Sequence, residues 1–410
     1  MVASRPGVRA DRVSEVPVRV LRGRDAVGRV LEAATDLLDA TGTPVCARPP
    51  WLTTWFEAFP AAEPVAVVAG GPGRIDGLAC LAVSRRGLLR TVTLAGAGPS
   101  DYGRLPARDP ATAAALAGGI ADVLRGVRPP WRLRLDQLPV GDPVVAALLA
   151  VLPRAYLEDG QPCPQVEFGP DRVPAQLTAS GRRALRKARL RLDRTGLAMT
   201  VDRIRDPVRV RGLVPELIVL HRDRDHRIGR RSDLDDPGRR AFYSAVVSRL
   251  AATGRVEVFT LRLDGTLAAY FLGMRDGAVF RNWDGRISSA RPELSVGLLL
   301  KTELVAELLA DPELTGIDMC RGTLQHKMHG VTAVVPAVAL RAESSPPVTL
   351  ALRWAARLHQ ALRRRIPAGL LRRLRGLDRP RAFATLFIAG FTNAVRKTCP
   401  DPLRPDRTVG

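Results

Sequence analysis

Lysine is nearly absent from this chain. Of its 63 basic residues only Lys187, Lys301, Lys327 and Lys397 are lysine; the rest are arginine, set against 41 acidic residues for a net charge of +22. Charge carried by arginine offers planar, bidentate contacts to phosphate or carboxylate, so an anionic partner and a merely solvated surface are both open readings. Cysteine is also sparse. Cys46, Cys80, Cys163, Cys320 and Cys399 are an odd number, far apart and without a C-x-x-C pair, which excludes a disulfide framework and a zinc ribbon. Aromatic residues make up 5% of the chain, too few for platforms on which single-stranded nucleic acid would stack.

Long apolar runs are missing as well. No uninterrupted stretch approaches the roughly 20 residues that a bilayer requires, and residues 1–24 hold no apolar segment between their arginines of the kind a signal peptide needs. The expectation is a cytoplasmic protein. What is present suits a folded one: 46% hydrophobic residues over 410 positions, with mean hydropathy near zero, allow two or three domains with buried cores.

The periodicity predicts the same order of elements twice. In the first half, helical spacing over Ala26–Ala40 and around Trp51–Phe56 precedes three strand-like runs, Pro64–Ala69, Ile75–Ser84 and Leu89–Leu94. A helix at Pro110–Leu124, a strand at Trp131–Leu138, a helix at Pro143–Leu152 and a closing strand near Gln165–Phe168 complete it. The second half opens with a basic helix over Leu177–Thr195, then a strand at Ala198–Ile204 and helices at Val208–Arg222 and Pro237–Thr253. Three strands follow, Val256–Leu263, Leu267–Met274 and Ala278–Trp283, with Asp-Gly turns between them. A helix at Ser295–Leu309, a strand at Thr315–Cys320, a short helix near Gln325 and a strand at Val334–Arg341 close it. This is a duplicated α+β unit with its boundary at Gly169–Pro174. From about Val348 arginines interleave with leucines in a basic amphipathic tail, which suits either docking on the domain or contact with an anionic membrane.

One place reads as a phosphate cradle. Ser295, Val296, Gly297 and Leu298 open a helix directly after the strand meander, and a helix N-terminus with glycine in its first turn gives an anion access to free backbone N–H groups. His326 and His329 have the spacing of one helical turn of a metal site but no third ligand at a recognisable distance, so no metal is expected. Gly70-Gly71-Pro72-Gly73 falls in a hairpin and reads as a turn.

Four segments carry a resemblance. Pro50-Trp51-Leu52-Thr53-Thr54-Trp55, Gly98-Pro99-Ser100-Asp101-Tyr102, the arginine-rich Leu177–Gly196, and Gly316–Gly322 followed by Lys327 together resemble the CelD-like and FemAB-like branch of the GNAT superfamily of acyltransferases, with its BioF-like acetyltransferase domain. The resemblance implies mixed α/β architecture: two tandem GNAT-like domains with mostly antiparallel sheets, at 16–169 and 175–345, and a helical tail at 346–400. It departs at Thr323 and Leu324, where the branch has acidic residues, and at His326, where it has tyrosine. The usual coenzyme A signature is not intact around Arg291–Leu298.

The resemblance further implies acetyl-CoA or another acyl-CoA as donor, gripped by Ser295, Val296, Gly297 and Leu298, and a small-molecule or envelope-precursor amine as acceptor. Acyl transfer to an amine needs a base, and Asp318 and Asp284, at strand ends, are the catalytic candidates. Trp283, Arg321 and Lys327, with His221 and Arg222, are the expected substrate-binding residues. Two alternatives stand beside this reading: an aminoacyl-tRNA-dependent FemAB-type transferase, and a nucleic-acid-binding protein using residues 182–194 and the tail, although no specific nucleic acid is expected.

Overall fold

The computed structural model describes residues 16–171, 179–324, 327–328, 330–344 and Trp354. The short helix expected near Gln325, His326 and His329, and the tail apart from Trp354, lie outside the described residues. In the first half the elements are β1 (Val18–Arg22), α1 (Arg24–Ala33), α2 (Thr35–Ala40), α3 (Pro49–Ala58), β2 (Glu63–Ala69), β3 (Gly77–Arg86), β4 (Leu89–Leu94), α4 (Pro110–Gly126), β5 (Trp131–Pro139), α5 (Pro143–Val151), β6 (Tyr156–Asp159) and β7 (Cys163–Glu167). In the second they are α6 (Ala179–Asp193), β8 (Met199–Ile204), α7 (Pro207–Arg227), α8 (Pro237–Ala252), β9 (Val256–Leu263), β10 (Thr266–Asp276), β11 (Val279–Ile287), α9 (Val296–Leu309), β12 (Gly316–Asp318), β13 (Ala333–Val335) and β14 (Ala337–Glu343).

Two seven-stranded sheets result, ordered β1-β2-β3-β4-β5-β14-β6 and β13-β7-β12-β11-β10-β9-β8. Each is antiparallel except for one parallel pair, β4 with β5 and β11 with β12, joined by the crossover helices α4 and α9. The repeat read from the sequence is therefore present as two mostly antiparallel mixed α/β units. β2 explains its own position: Val65, Val67 and Ala69 face one core and Ala66 and Val68 another, so it is apolar on both faces.

Three cores stack in layers. α4 and α5 cover the outer face of the first sheet, and α6 and α9 cover the outer face of the second. Between the sheets, α1–α3 meet α7 and α8 in a core shared by both halves, where Trp51 packs edge-on against Phe242 and Trp283 at 5.2 and 5.1 Å.

The sheets also exchange strands. β7, from the first half, lies between β12 and β13, and β14, from the second, lies between β5 and β6. The run read as one strand over Val334–Arg341 is two, because Pro336 has no N–H for a ladder and the chain there leaves one sheet for the other. The opposite crossing, at Gly160, lies against it: the Gly160 amide bonds the Ala337 carbonyl at 2.8 Å, and a Cβ on residue 160 would stand 2.9 Å from Ala337. The single helix expected over Ala26–Ala40 is likewise two, joined at Ala34.

Candidate active site

The two parallel pairs are short, and the strands then part. β11 and β12 are in register only from Val279–Gly316 to Arg281–Asp318. Just beyond, β11 carries a bulge, since Asn282 faces Gly273 and Asp284 faces Leu272 across β10, leaving Trp283 without a partner. A turn of the first half closes on this opening. The indole N–H of Trp283 donates to the Pro99 carbonyl at 3.2 Å, and Arg321 reaches the Gly98 carbonyl and, at 2.8 Å, the Asp101 carboxylate. The Tyr102 hydroxyl donates to Asp318.

The residues expected around one cleft thus fall into two networks on either side of Trp283. Asp318 belongs to the first and is 0% exposed. Besides Tyr102 it accepts from Arg281 Nη1 at 2.5 Å and from the Cys320 amide at 2.7 Å. Arg281 also bonds Asp276 at 2.6 Å and lies over the Tyr102 ring, 4.5 Å from its centre. Lys327 caps the segment by donating to the Met319 and Arg321 carbonyls, both at 2.8 Å. Asp318 and Arg321 are therefore committed to partners across the halves and Lys327 to carbonyls of its own segment, and the Asp318 carboxylate meets the first half's turn where an open cleft was expected. Burial pushes the Asp101 carboxyl up to about 6 despite the neighbouring Arg321 and Lys327.

Asp284 anchors the second network. It accepts from Tyr270 at 2.7 Å, Tyr243 at 3.0 Å, His221 Nδ1 at 3.3 Å and Arg286 Nη1 at 3.0 Å. Burial alone would raise its carboxyl, but His221, Arg286 and Tyr270 outweigh burial and hold it well below the usual carboxylate range. So satisfied an acceptor is a poor base; it is suited to orienting His221. The other imidazole nitrogen, Nε2, lies 2.7 Å from Arg286 Nη2 and 3.3 Å from Asp225 Oδ2. The guanidinium favours an unprotonated nitrogen there and the carboxylate a protonated one. Arg222, next in sequence, is turned away to Asp235 at 2.9 Å, which His226 shares.

Tyr243, Tyr270, Asp225 and Arg286 were not singled out in the sequence. A signal existed: the chain has only four tyrosines, and three of them, Tyr102, Tyr243 and Tyr270, donate to Asp318 or Asp284.

The cradle at α9 differs from the four helix starts that carry an aspartate cap. α4, α5, α7 and α8 begin with Asp109, Asp142, Asp206 and Asp236, whose carboxylates accept from their own first-turn amides. At α9 Ser295 is left-handed, with φ 52°, and its side chain makes no capping bond. The Ser295 carbonyl takes the Leu298 and Leu299 amides, while those of Val296 and Gly297 have no partner among the described residues. Gly297 has a packing reason too: a Cβ there would stand 2.8 Å from Ile287 of β11. α6 runs beside this start, with Arg191 bonding the Glu293 carbonyl at 2.9 Å and Arg183, Arg186, Lys187 and Arg194 exposed. Among the described residues no group of histidine, cysteine, aspartate or glutamate is placed to hold a metal ion, and no helix is long and apolar enough to cross a membrane.

Residues 179–328 match the family model described as an acetyltransferase (GNAT) domain. No curated protein matches by sequence. Among solved structures the chain is similar to FemX, at 10% identity over 77% of this chain and 97% of that one, with a TM-score of 0.54. A conserved protein of unknown function from Bacteroides thetaiotaomicron is similar at 11% identity, over 80% and 100%, with a TM-score of 0.50. The C-terminal domain of a putative lysylphosphatidylglycerol synthetase from Agrobacterium fabrum gives 12% identity over 80% and 95%, with a TM-score of 0.49. The first two likenesses establish the shared fold.

Proposed function

We propose, for a chain that carries a GNAT-superfamily acyltransferase domain over residues 179–328, that it moves an acyl group from an acyl-CoA to the amine of a small molecule or of an envelope or polysaccharide precursor. The observation that carries this reading is the uncapped start of α9 on one face of the bulged β11, with the His221–Asp284 pair on the other face. The Val296 and Gly297 amides take the donor's pyrophosphate, with the α6 arginines adding positive charge. The donor's arm follows β11 to the bulge, where a backbone N–H of the parted strand polarises the thioester carbonyl. The amine nitrogen attacks that carbonyl carbon, His221 Nε2 takes the amine proton, the carbon–sulfur bond breaks, and the proton passes to the departing thiolate. Asp284 holds the imidazole at Nδ1, and the amine takes the place of Arg286 at Nε2.

Asp318, Arg321 and Lys327 act in this reading as the tie that brings the Gly98–Tyr102 turn against the site, and they serve the acceptor as one of its walls. The amphipathic tail offers a peripheral contact with an anionic membrane face. Equilibrium binding with labelled acetyl-CoA, longer acyl-CoAs and charged tRNA tests the donor. Retention of a CoA thioester is expected; retention of charged tRNA alone would replace it with an aminoacyl donor.

A further inference from the structure

A buried acceptor on the donor's side of β11 has no partner. Asn282 is 8% exposed, and its Oδ1 has no hydrogen-bond partner among the described residues. Leaving such a carbonyl unpaired is costly, and a ligand hydrogen would recover that cost. Asn282 stands at the last β11 position in register before the bulge, opposite Gly273, and one residue past the end of the β11–β12 ladder at Arg281. Strand alternation gives it the face of Phe280, whose ring belongs to the core beneath α6 and α9. Beyond the bulge the same face carries Ile287, which lies against Gly297 at the cradle. From Ile287 back to Asn282 the strand covers about 16 Å at roughly 3.3 Å per residue. An extended pantetheine arm reaches about as far from its phosphate to its sulfur, so a donor held at the Val296 and Gly297 amides brings its acyl group to Asn282.

We infer that Asn282 reads the donor's acyl group, and that this group carries a hydroxyl or amino hydrogen on one of the two carbons next to the thioester carbonyl. An acetyl methyl has no such hydrogen and leaves Oδ1 unpaired. The strand geometry also separates this role from catalysis: Asp284, two residues on, faces His221 and the tyrosines on the other side of the sheet. The inference rests on the thioester donor proposed above.

The test uses the full chain and calorimetric titration with CoA and two matched pairs, propionyl-CoA with 2-hydroxypropionyl-CoA and butyryl-CoA with 3-hydroxybutyryl-CoA. In at least one pair the hydroxylated member should bind about tenfold more tightly, as expected for a site built to pair a hydroxyl. Asn282→Ala should erase that difference while affinity for CoA itself stays within about twofold; Asn282→Leu, which keeps the volume, repeats the comparison should the alanine variant melt early. Equal affinities within both pairs for the unaltered protein overturn the inference, and so does a variant that weakens CoA as much as its thioesters, since Asn282 would then touch the arm. Failure of CoA and every thioester to bind brings down the donor reading itself.

Discussion

At the scale of single residues, Asp101 shows how the halves are held and at what electrostatic cost. Its carboxyl is 8% exposed, pairs with Arg321 at 2.8 Å and is pushed by burial up to about 6. Because that lies above the ordinary value of 3.8, the folded chain binds a proton between these two pH values that the unfolded chain has released. Stability therefore falls as pH rises through this window. Compared with Asp101→Asn, the protein should lose roughly 3 kcal/mol of relative stability between pH 3.8 and pH 7. Urea titrations of both proteins at several pH values measure it; a constant difference would mean that the pair titrates as a surface bridge does. The sequence marked Asp101 through its Ser-Asp-Tyr turn and Asp284 and Asp318 through their strand ends. It did not separate their roles, because which donors surround a carboxylate depends on α7, α8 and the first half's turn, each far away in the chain.

At the scale of elements, the contrast between α9 and the four aspartate-capped helices yields a direct test. A carboxylate at position 295 would stabilise the helix start, and aspartate tolerates a left-handed backbone better than most residues. It would also occupy the amides that a phosphate needs. Ser295→Asp should therefore melt no lower than the unaltered protein while its affinity for acetyl-CoA drops at least tenfold, beyond the ~1 kcal/mol typical of a cap. Unchanged affinity, read by the same titration, would move the donor away from α9. Most elements were legible from the sequence, since period 2 and period 3.6 patterns over Glu63–Leu94 and Val256–Ile287 are strong. The edge strands β1 and β6 were not: each is short and largely exposed, so the burial that fixes it is not written in its own pattern. Gly297 was expected to serve a ligand alone, yet Ile287 already requires it, a close approach that sequence cannot register.

At the scale of the whole molecule, the exchange of β7 and β14 decides whether either half can stand alone. A strand's pattern announces that it will pair but not with which sheet, so the duplication was readable while the exchange was not. Cutting the chain between Asp171 and Ala179 leaves the first fragment without β14, which among the described residues is the one strand paired with β6 and the outer neighbour of β5. The second fragment loses β7, which alone joins β12 to β13. Both fragments also expose the core between the sheets, where Trp51, wholly buried, meets Phe242 and Trp283. Open strand edges beside an exposed apolar face favour association over folding as a monomer. Each fragment expressed alone should then elute as aggregate or expanded chain. Co-expressed, they should form a one-to-one complex with native circular dichroism, because both exchanged strands are supplied in trans and the cut falls in the connector. A second fragment that folds by itself as a monomer and binds acetyl-CoA would show that β7 only decorates its sheet.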